Sequence, residues 1–321
     1  MRENLLNHFL QDNNMAHFQR VRLAGDASSR RYERLTYQAK TFILMDAPPP
    51  ETISQFVNVA KILNTQGYSV PEIHASDAEN GFLLLEDLGD DLFVRLIERG
   101  EDEEALYKLA VDFLLTLIQT LIPVELPKFS DDYVLDQNQM FLNWYVPDKT
   151  GCAITENIRS EYDEIWRPLL EKIRAGSEVI ILRDFHAENL LVLKERKGIQ
   201  ALGLLDFQDA LVGPAAYDLV SLLQDARREV SPALASKMIS YYIGEAGVDE
   251  AGFRLSYAIL GAHRALRILG IFKRLAKKDG KQSYLKLMPR MLHHLQTNLA
   301  HPDLRDLKLF LDQLNRKNKD A

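Results

Sequence analysis

The stretch "LRDFHAENLLVL", residues 182–193, sets Arg183, Asp184, His186, Glu188 and Asn189 between apolar runs on both sides. A further apolar run, "LGLL", leads directly into Asp206. The turn "ERKG" at 195–198 joins the two. A hairpin returns a chain to its start, so Asp206 is expected beside Asn189. Amide and carboxylate oxygens are hard donors that suit magnesium. Asp184, five residues before Asn189, is then expected to be the carboxylate that takes a proton. The spacing D-x-x-x-x-N, a hairpin, then D-F suits phosphoryl transfer. In that chemistry Asp184 orients an acceptor hydroxyl and accepts its proton, while Asn189 and Asp206 hold magnesium on nucleotide phosphates. The competing reading is a polar turn with Asp206 at a helix cap. A lone D-x-x-x-x-N would not exclude it; the hairpin and the β-rich segment upstream weigh against it.

The elements around the motif fall into two kinds. A short helix is expected over 3–12. Period-two patterns at 18–25 and 31–37 predict strands, joined by the turn formers "GDASS" at 25–29. "TFILMDA" at 41–47 reads as a buried strand stopped by "PPP", and "FLLLEDLG" at 82–89 as another. Between them, Ile53, Phe56, Val57, Ala60 and Leu63 have helical spacing, and Gly67 ends that helix. After Leu88 the pattern is mainly helical, with helices expected near 90–99, 102–121, 156–175, 214–228, 232–246, 249–278, 281–298 and 302–315. The fold class is α+β, in two lobes: 1–88 β-rich and 89–321 mainly helical, with a hinge near Glu86–Gly89.

Composition narrows the function. The 321 residues are 46% hydrophobic, enough for a substantial core. A net charge of −7 argues against a general nucleic-acid binder. A single cysteine, Cys152, allows no intrachain disulfide and fits a reducing compartment. The N-terminus has no apolar signal segment. The apolar stretch at 109–122 carries Asp112 and Gln119 and is shorter than the ~20 residues a span requires. A cytoplasmic protein without nucleic-acid or membrane partners is expected.

"LRDFHAENLLVL" with "LGLLDFQDALVGPAAYDLVSLL" resembles the aminoglycoside phosphotransferases and choline kinases, whose fold is related to that of protein kinases. "LAGDASSRRYERL" resembles their nucleotide loop, "FILMDAPPP" their third strand and "GFLLLEDLG" the strand into the hinge. The resemblance implies ATP and Mg2+ as cofactors and a small hydroxylated acceptor. It implies nucleotide binding by 1–88, and catalysis and acceptor binding by 89–321. It also implies that Asp218 braces the catalytic loop through backbone hydrogen bonds. Within the superfamily the motifs look most like the anomeric kinases of N-acetylmuramate and N-acetylglucosamine that serve cell-wall recycling. Three departures stand out. Leu182 replaces a frequent His, Gln208 replaces the Gly of D-F-G, and the third strand lacks the phosphate-binding Lys. Arg31 is the first candidate to supply that charge, with Arg30 and Lys40 behind it; Glu86 is a further nucleotide contact.

Acceptor candidates come from three places. His186 would touch substrate or brace the loop. Tyr133, Phe141, Trp144 and Tyr145 would stack on a sugar or fill the core. His263, Arg267 and Arg274 share one helix face with Arg264 adjacent, solvated by default, or else turned toward an acidic substrate. Two alternatives remain open. One is an aminoglycoside kinase with Asp131, Asp132, Glu156 and Asp163 facing a polycation. The other is a pseudokinase that binds without turnover.

Overall fold

The computed structural model describes residues 2–23, 29–151, 153–174 and 176–316. Most of the "GDASS" loop (residues 25–28) and Cys152 lie outside the described residues. The chain divides into two compact units, Met1–Glu101 with Glu188–Asp209, and Asp102–Ala187 with Ala210–Ala321.

The first unit opens with helix α1 (Arg2–Asp12) and strands β1 (Gln19–Arg22), β2 (Arg31–Tyr37) and β3 (Lys40–Asp46). Helix α2 (Ser54–Thr65), strands β4 (Ile73–Asp77) and β5 (Phe82–Glu86) and helix α3 (Phe93–Glu98) follow. The sheet is antiparallel in the order β1-β2-β3-β5-β4. One face packs Leu35, Leu44, Phe82 and Leu84 against Leu6, Phe9 and Leu10 of α1. Strand side chains alternate, so the register fixes which charges face which way. Arg31 pairs with Asp46 across β2–β3, and Tyr37 with Lys40. Arg31 and Asp46 therefore share the α1 face with Leu35 and Leu44, while Tyr32 and Arg34 lie on the opposite face.

The second unit begins with α4 (Glu103–Leu117), α5 (Asp131–Met140), a π-helical turn Phe141–Tyr145, α6 (Val146–Thr150), α7 (Glu156–Arg174) and strand β6 (Glu178–Ile181). Asp102 and Ser130 cap α4 and α5 by accepting from Ala105 N and Tyr133 N. The chain then supplies the first unit with a hairpin, β7 (Leu190–Val192) and β8 (Leu202–Leu204). Backbone bonds stitch it there: Leu204 N donates to Ser69 O at 2.9 Å and Val192 N to Asp91 O at 2.9 Å.

The rest belongs to the second unit: β9 (Leu211–Pro214), paired with β6, then α8 (Ala216–Leu223), α9 (Pro232–Ala246), α10 (Glu250–Lys278), α11 (Met288–Asn298) and α12 (Arg305–Arg316). Every residue of α8 is buried. Helix α10 is long and apolar enough to cross a membrane, but 72% of its apolar window is buried inside the protein, as in a core helix. Gly270 gives α10 its close approach to the backbone of Met140 and Phe141; a side chain there would collide with that backbone. That contact fixes the π-helical turn against the core helix.

Candidate active site

The loop carrying Asp184 is built around a left-handed residue. Arg183 has φ +71°, which a non-glycine residue adopts only when its surroundings demand it. They do so here. Asp218, near the start of α8, accepts from Leu182 N at 2.6 Å and from Arg183 N at 2.8 Å, one bond per carboxylate oxygen. Ser221, one helical turn on, donates to Arg183 O at 2.8 Å. Asp184 N donates back to Leu182 O at 2.9 Å. The brace expected of Asp218 is thus present, and Ser221 doubles it. Burial pushes the Asp218 carboxyl up to about 7, against the pull of the two N–H donors and the Arg264 guanidinium.

Asp184 is half-buried. Burial works against its charge, but the guanidiniums of Arg267, Arg264 and Arg183 hold its carboxyl below the usual carboxylate range. Two of those cations come from α10, whose basic face turns inward rather than to solvent. Arg264 is buried and donates to Gln224 O at 3.4 Å. Arg267 is half-buried, oriented by a 2.8 Å bond from its Nε to Gln137 Oε1.

His263 corrects an expectation. It is 1% exposed, ringed by Phe129, Trp166 and Tyr217, and its Nδ1 lies 2.8 Å from Asn138 Oδ1. It is a core histidine that ties α10 to α5, with no surface left for a substrate. The aromatics divide similarly. Phe141 and Tyr145 stack on each other at 5.0 Å, both buried, whereas Trp144 stays half-buried. Tyr133 takes the Arg183 guanidinium over its ring at 5.8 Å. His186 is 4% exposed, with Nε2 3.2 Å from Arg227 Nη1.

The first unit carries the other half of the motif. Leu205 N donates to Asn189 O at 2.9 Å, so the hairpin brings Asn189 and Asp206 to one end, as the sequence predicts. Asp206 is exposed at φ +55°, and Gln208 Nε2 donates to its Oδ1 at 2.7 Å. Behind it Phe207 packs on Phe56 of α2 at 4.9 Å. No group of three or more His, Cys, Asp or Glu side chains that could hold a metal exists among the described residues. An ion held by Asn189 and Asp206 must complete its shell with other oxygens. That fits magnesium, which binds through one or two protein groups plus phosphates and water.

Strand parity places Arg31, while Arg30 precedes the strand. Tyr32, on the face opposite α1, has its phenol pushed up to about 12, by burial first, with Arg30 pulling down and the Asp206 carboxylate adding to the rise. Arg30 and Asp206 therefore share the surroundings of Tyr32. Arg30 has a side chain 10% exposed and pairs with Glu51 at 3.3 Å; Ser29 Oγ donates to the same carboxylate at 3.0 Å. Arg31 faces the α1 side with its side chain 56% exposed, 4.0 Å from Asp46. Lys40 is exposed at the far end of the β2–β3 ladder, roughly 20 Å along the strand from Arg31. Of the three expected cations, Arg30 lies with Asp206 around Tyr32, Arg31 on the α1 face and Lys40 at the far end of the ladder. Glu86 pairs with Arg196 and accepts from Glu72 N at 3.3 Å.

Residues 20–253 match the phosphotransferase enzyme family. The chain belongs to that family. Among curated relatives of this phosphotransferase, the N-acetylmuramate/N-acetylglucosamine kinase of Caulobacter vibrioides is 37% identical over 95% of this chain and 94% of its own. The kinase of the same name from Pseudomonas putida is 31% identical over 91% and 87%. Among solved structures, a choline kinase from Streptococcus pneumoniae superimposes with a TM-score of 0.65 at 13% identity, over 92% of this chain and 99% of its own. An aminoglycoside phosphotransferase solved with ADP gives 0.60 at 14% identity, over 92% and 98%. The two-part α+β architecture read from the sequence is the fold of these proteins.

Sequence reasoning missed several groups that the phosphotransferase places around its motif. Gln137, Tyr32 and Arg227 carry no local signature. Ser221 alone had a usable signal, since it follows Asp218 at a one-turn spacing on the same helix face.

Proposed function

We propose that this phosphotransferase transfers the γ-phosphoryl group of ATP to the anomeric hydroxyl of N-acetylmuramate and N-acetylglucosamine. The observation that carries the reading is the ring of cations around Asp184. Arg267, Arg264 and Arg183 favour an acceptor with negative charge, such as the lactyl carboxylate of N-acetylmuramate. They disfavour a polycation. A carboxylate held below its usual range is a weak base for an ordinary alcohol. It is better matched to a hemiacetal hydroxyl, which is more acidic. The names of the curated relatives point the same way.

In this reading Asp184 orients the acceptor hydroxyl and takes its proton. Asp218 and Ser221 keep the loop in its left-handed form, so Asp184 spends no reorganisation on reaching that geometry. Asn189 and Asp206 would hold magnesium; when bound with the nucleotide, the ion offsets phosphate charge. Arg30 supplies the cation that the third strand lacks. Nucleotide binding is assigned to the first unit and acceptor binding to the second.

The aminoglycoside alternative needs free acids facing the acceptor. Asp131 is paired with Arg174 at 3.2 Å and Glu156 lies 3.8 Å from Arg159. Asp163 accepts from Gln139 at 3.2 Å and is pushed up by burial. The pseudokinase alternative loses its motive once Arg30 stands in for the strand lysine.

Arg267→Ala tests the acceptor. Loss of one charge-assisted hydrogen bond should raise KM for N-acetylmuramate roughly ten- to a hundredfold. N-acetylglucosamine, which has no carboxylate, should keep its KM, although its kcat should respond to the loss of the Arg267 charge beside Asp184. The measurement is KM and kcat separately on both sugars; equal rises in KM on the two would sink the assignment of Arg267 to the carboxylate.

A further inference from the structure

His186 lies two residues beyond Asp184, buried, on a loop held by Phe185 stacked on Phe113 at 5.5 Å. The group against it is unusual for a histidine. Arg227 places Nη1 3.2 Å from His186 Nε2. A guanidinium has five N–H donors and no acceptor, and it stays charged at every relevant pH. The contact is a hydrogen bond only if Nε2 offers a lone pair. That fixes the ring as neutral, with its proton on Nδ1.

Arg227 is itself positioned. It follows α8 in the segment Gln224–Arg227, where Arg227 N donates to Asp225 Oδ1 at 2.8 Å. Arg290 of α11 donates to Ala226 O at 2.8 Å, and Arg264 of α10 to Gln224 O at 3.4 Å. Two helices thus anchor the strip that presents the guanidinium. The charges facing His186 are Asp225 and Arg227 of this strip, Asp184 of its own loop and Arg264 of α10. Burial, with Arg227 and Arg264, outweighs the two carboxylates and keeps the ring below its ordinary value.

We propose that Arg227 is a positioning residue of the phosphotransferase: by donating to Nε2 it locks His186 as the neutral Nδ1–H tautomer, so that Asp184 is the group of this loop that takes a proton. An imidazole with an ordinary value near 6.5 would gain a proton just below neutrality. The imidazolium would pair with the Asp184 carboxylate and withdraw its basicity. With Arg227 in place the His186 ring keeps a fixed proton count across neutral pH. The kinetic part rests on Asp184 being the base; the tautomer does not.

The test uses the full chain labelled with 15N-histidine. Long-range 1H–15N correlation spectra, with His186 assigned from His186→Gln, report which ring nitrogen carries the proton between pH 8 and 6. Wild type should show Nδ1 protonated and Nε2 bare throughout. Arg227→Met should let the ring titrate within that range. Its kcat should gain an acidic limb with the same midpoint, falling with the neutral fraction of the ring, about fourfold by pH 6 for a midpoint near 6.5. Arg227→Lys, which keeps a cationic donor, should hold the wild-type tautomer. Protonated Nε2 in wild type overturns the proposal, and needs no variant to fold. So does an Arg227→Met protein whose tautomer, or whose pH profile, matches wild type. Should the chain turn over no amino sugar, the spectra still decide the tautomer, so failure of the functional reading is distinguishable.

Discussion

The loop of Asp184 and the hairpin of Asn189 and Asp206 each bend through a left-handed, non-glycine residue, Arg183 at φ +71° and Asp206 at φ +55°. Each such conformation costs on the order of 1–3 kcal/mol. The loop offsets it with a 1%-exposed carboxylate that accepts two backbone N–H bonds, and with a serine that caps the carbonyl. The hairpin is closed at this end by the bond from Leu205 N to Asn189 O, and a side-chain amide donates to Asp206, which remains exposed. The difference follows the chemistry proposed for each. A base must meet one proton in one direction, so its loop is fixed before substrate arrives. A magnesium ligand meets an ion that brings its own octahedral demands. It can be held loosely and ordered on binding.

The comparison breaks most readily at the two aspartates. Asp184→Asn should leave nucleotide and magnesium binding close to wild type and lower kcat by on the order of a hundredfold or more. Asp206→Asn should instead raise the magnesium concentration needed for half-maximal rate. Titrating magnesium in both variants separates them; an Asp184→Asn enzyme with near-normal turnover would remove the base assignment.

The next effect belongs to the first unit. Arg30→Ala removes the cation paired with Glu51 near Asp206, and should raise KM for ATP roughly ten- to a hundredfold. Arg31→Ala and Lys40→Ala should change it little, since one faces α1 and the other lies at the far end of the ladder. A larger loss from Arg31→Ala than from Arg30→Ala would contradict the parity argument.

The brace comes third. Asp218→Asn keeps the shape but replaces one acceptor oxygen with an NH2 that opposes a backbone N–H. Losing one charge-assisted bond should lower stability by about 2 kcal/mol. It should also cut kcat about tenfold, as Arg183 drifts from its left-handed form. KM for ATP should be unaffected, because the hairpin does not depend on that carboxylate. Chemical denaturation and steady-state kinetics on one preparation check both arms.

What the sequence revealed and what it withheld divide along the same line. Asp184, Asn189 and Asp206 were legible because a short spacing and a hairpin fix their geometry locally. Asp218 was legible only through the family resemblance of the helix that carries it. The rest depended on contacts between distant segments. Strand β4, "IHASD", has only a weak apolar alternation, and its strand state comes from pairing with β5. The helix expected over 281–298 begins as a 3-10 turn at Gln282–Leu287 and becomes α-helical only from Met288. Arg30 and Arg31 are neighbours in sequence, but the register of β2 puts Arg31 on the α1 face beside Asp46, while Arg30 precedes the strand and pairs with Glu51. Likewise His263 and Arg267 lie one turn apart on α10. Burial beside Asn138 makes one a core residue, while Gln137 turns the other toward the loop.

That last pair gives the smallest effect. The ordinary pKa of histidine is 6.5, and burial, with the guanidiniums of Arg267, Arg183 and Arg264, pushes His263 down to about 3. Its folded value therefore lies below its unfolded one. The unfolded chain gains a proton as pH drops below about 6.5, while the folded chain stays neutral. The stabilisation is fully present above that pH and is lost progressively toward pH 3. For one group the slope approaches about 1.4 kcal/mol per pH unit. His263→Gln, which cannot titrate, should lose that slope between pH 6 and 4 while lowering stability at pH 8 through the lost ring packing. His186 and His294 are also held low, so the quantity to compare is the difference in slope between wild type and variant, obtained from denaturation at each pH. Parallel curves would mean that His263 gains its proton without unfolding the second unit, and that the core beneath the Asp184 loop is less closed than its burial indicates.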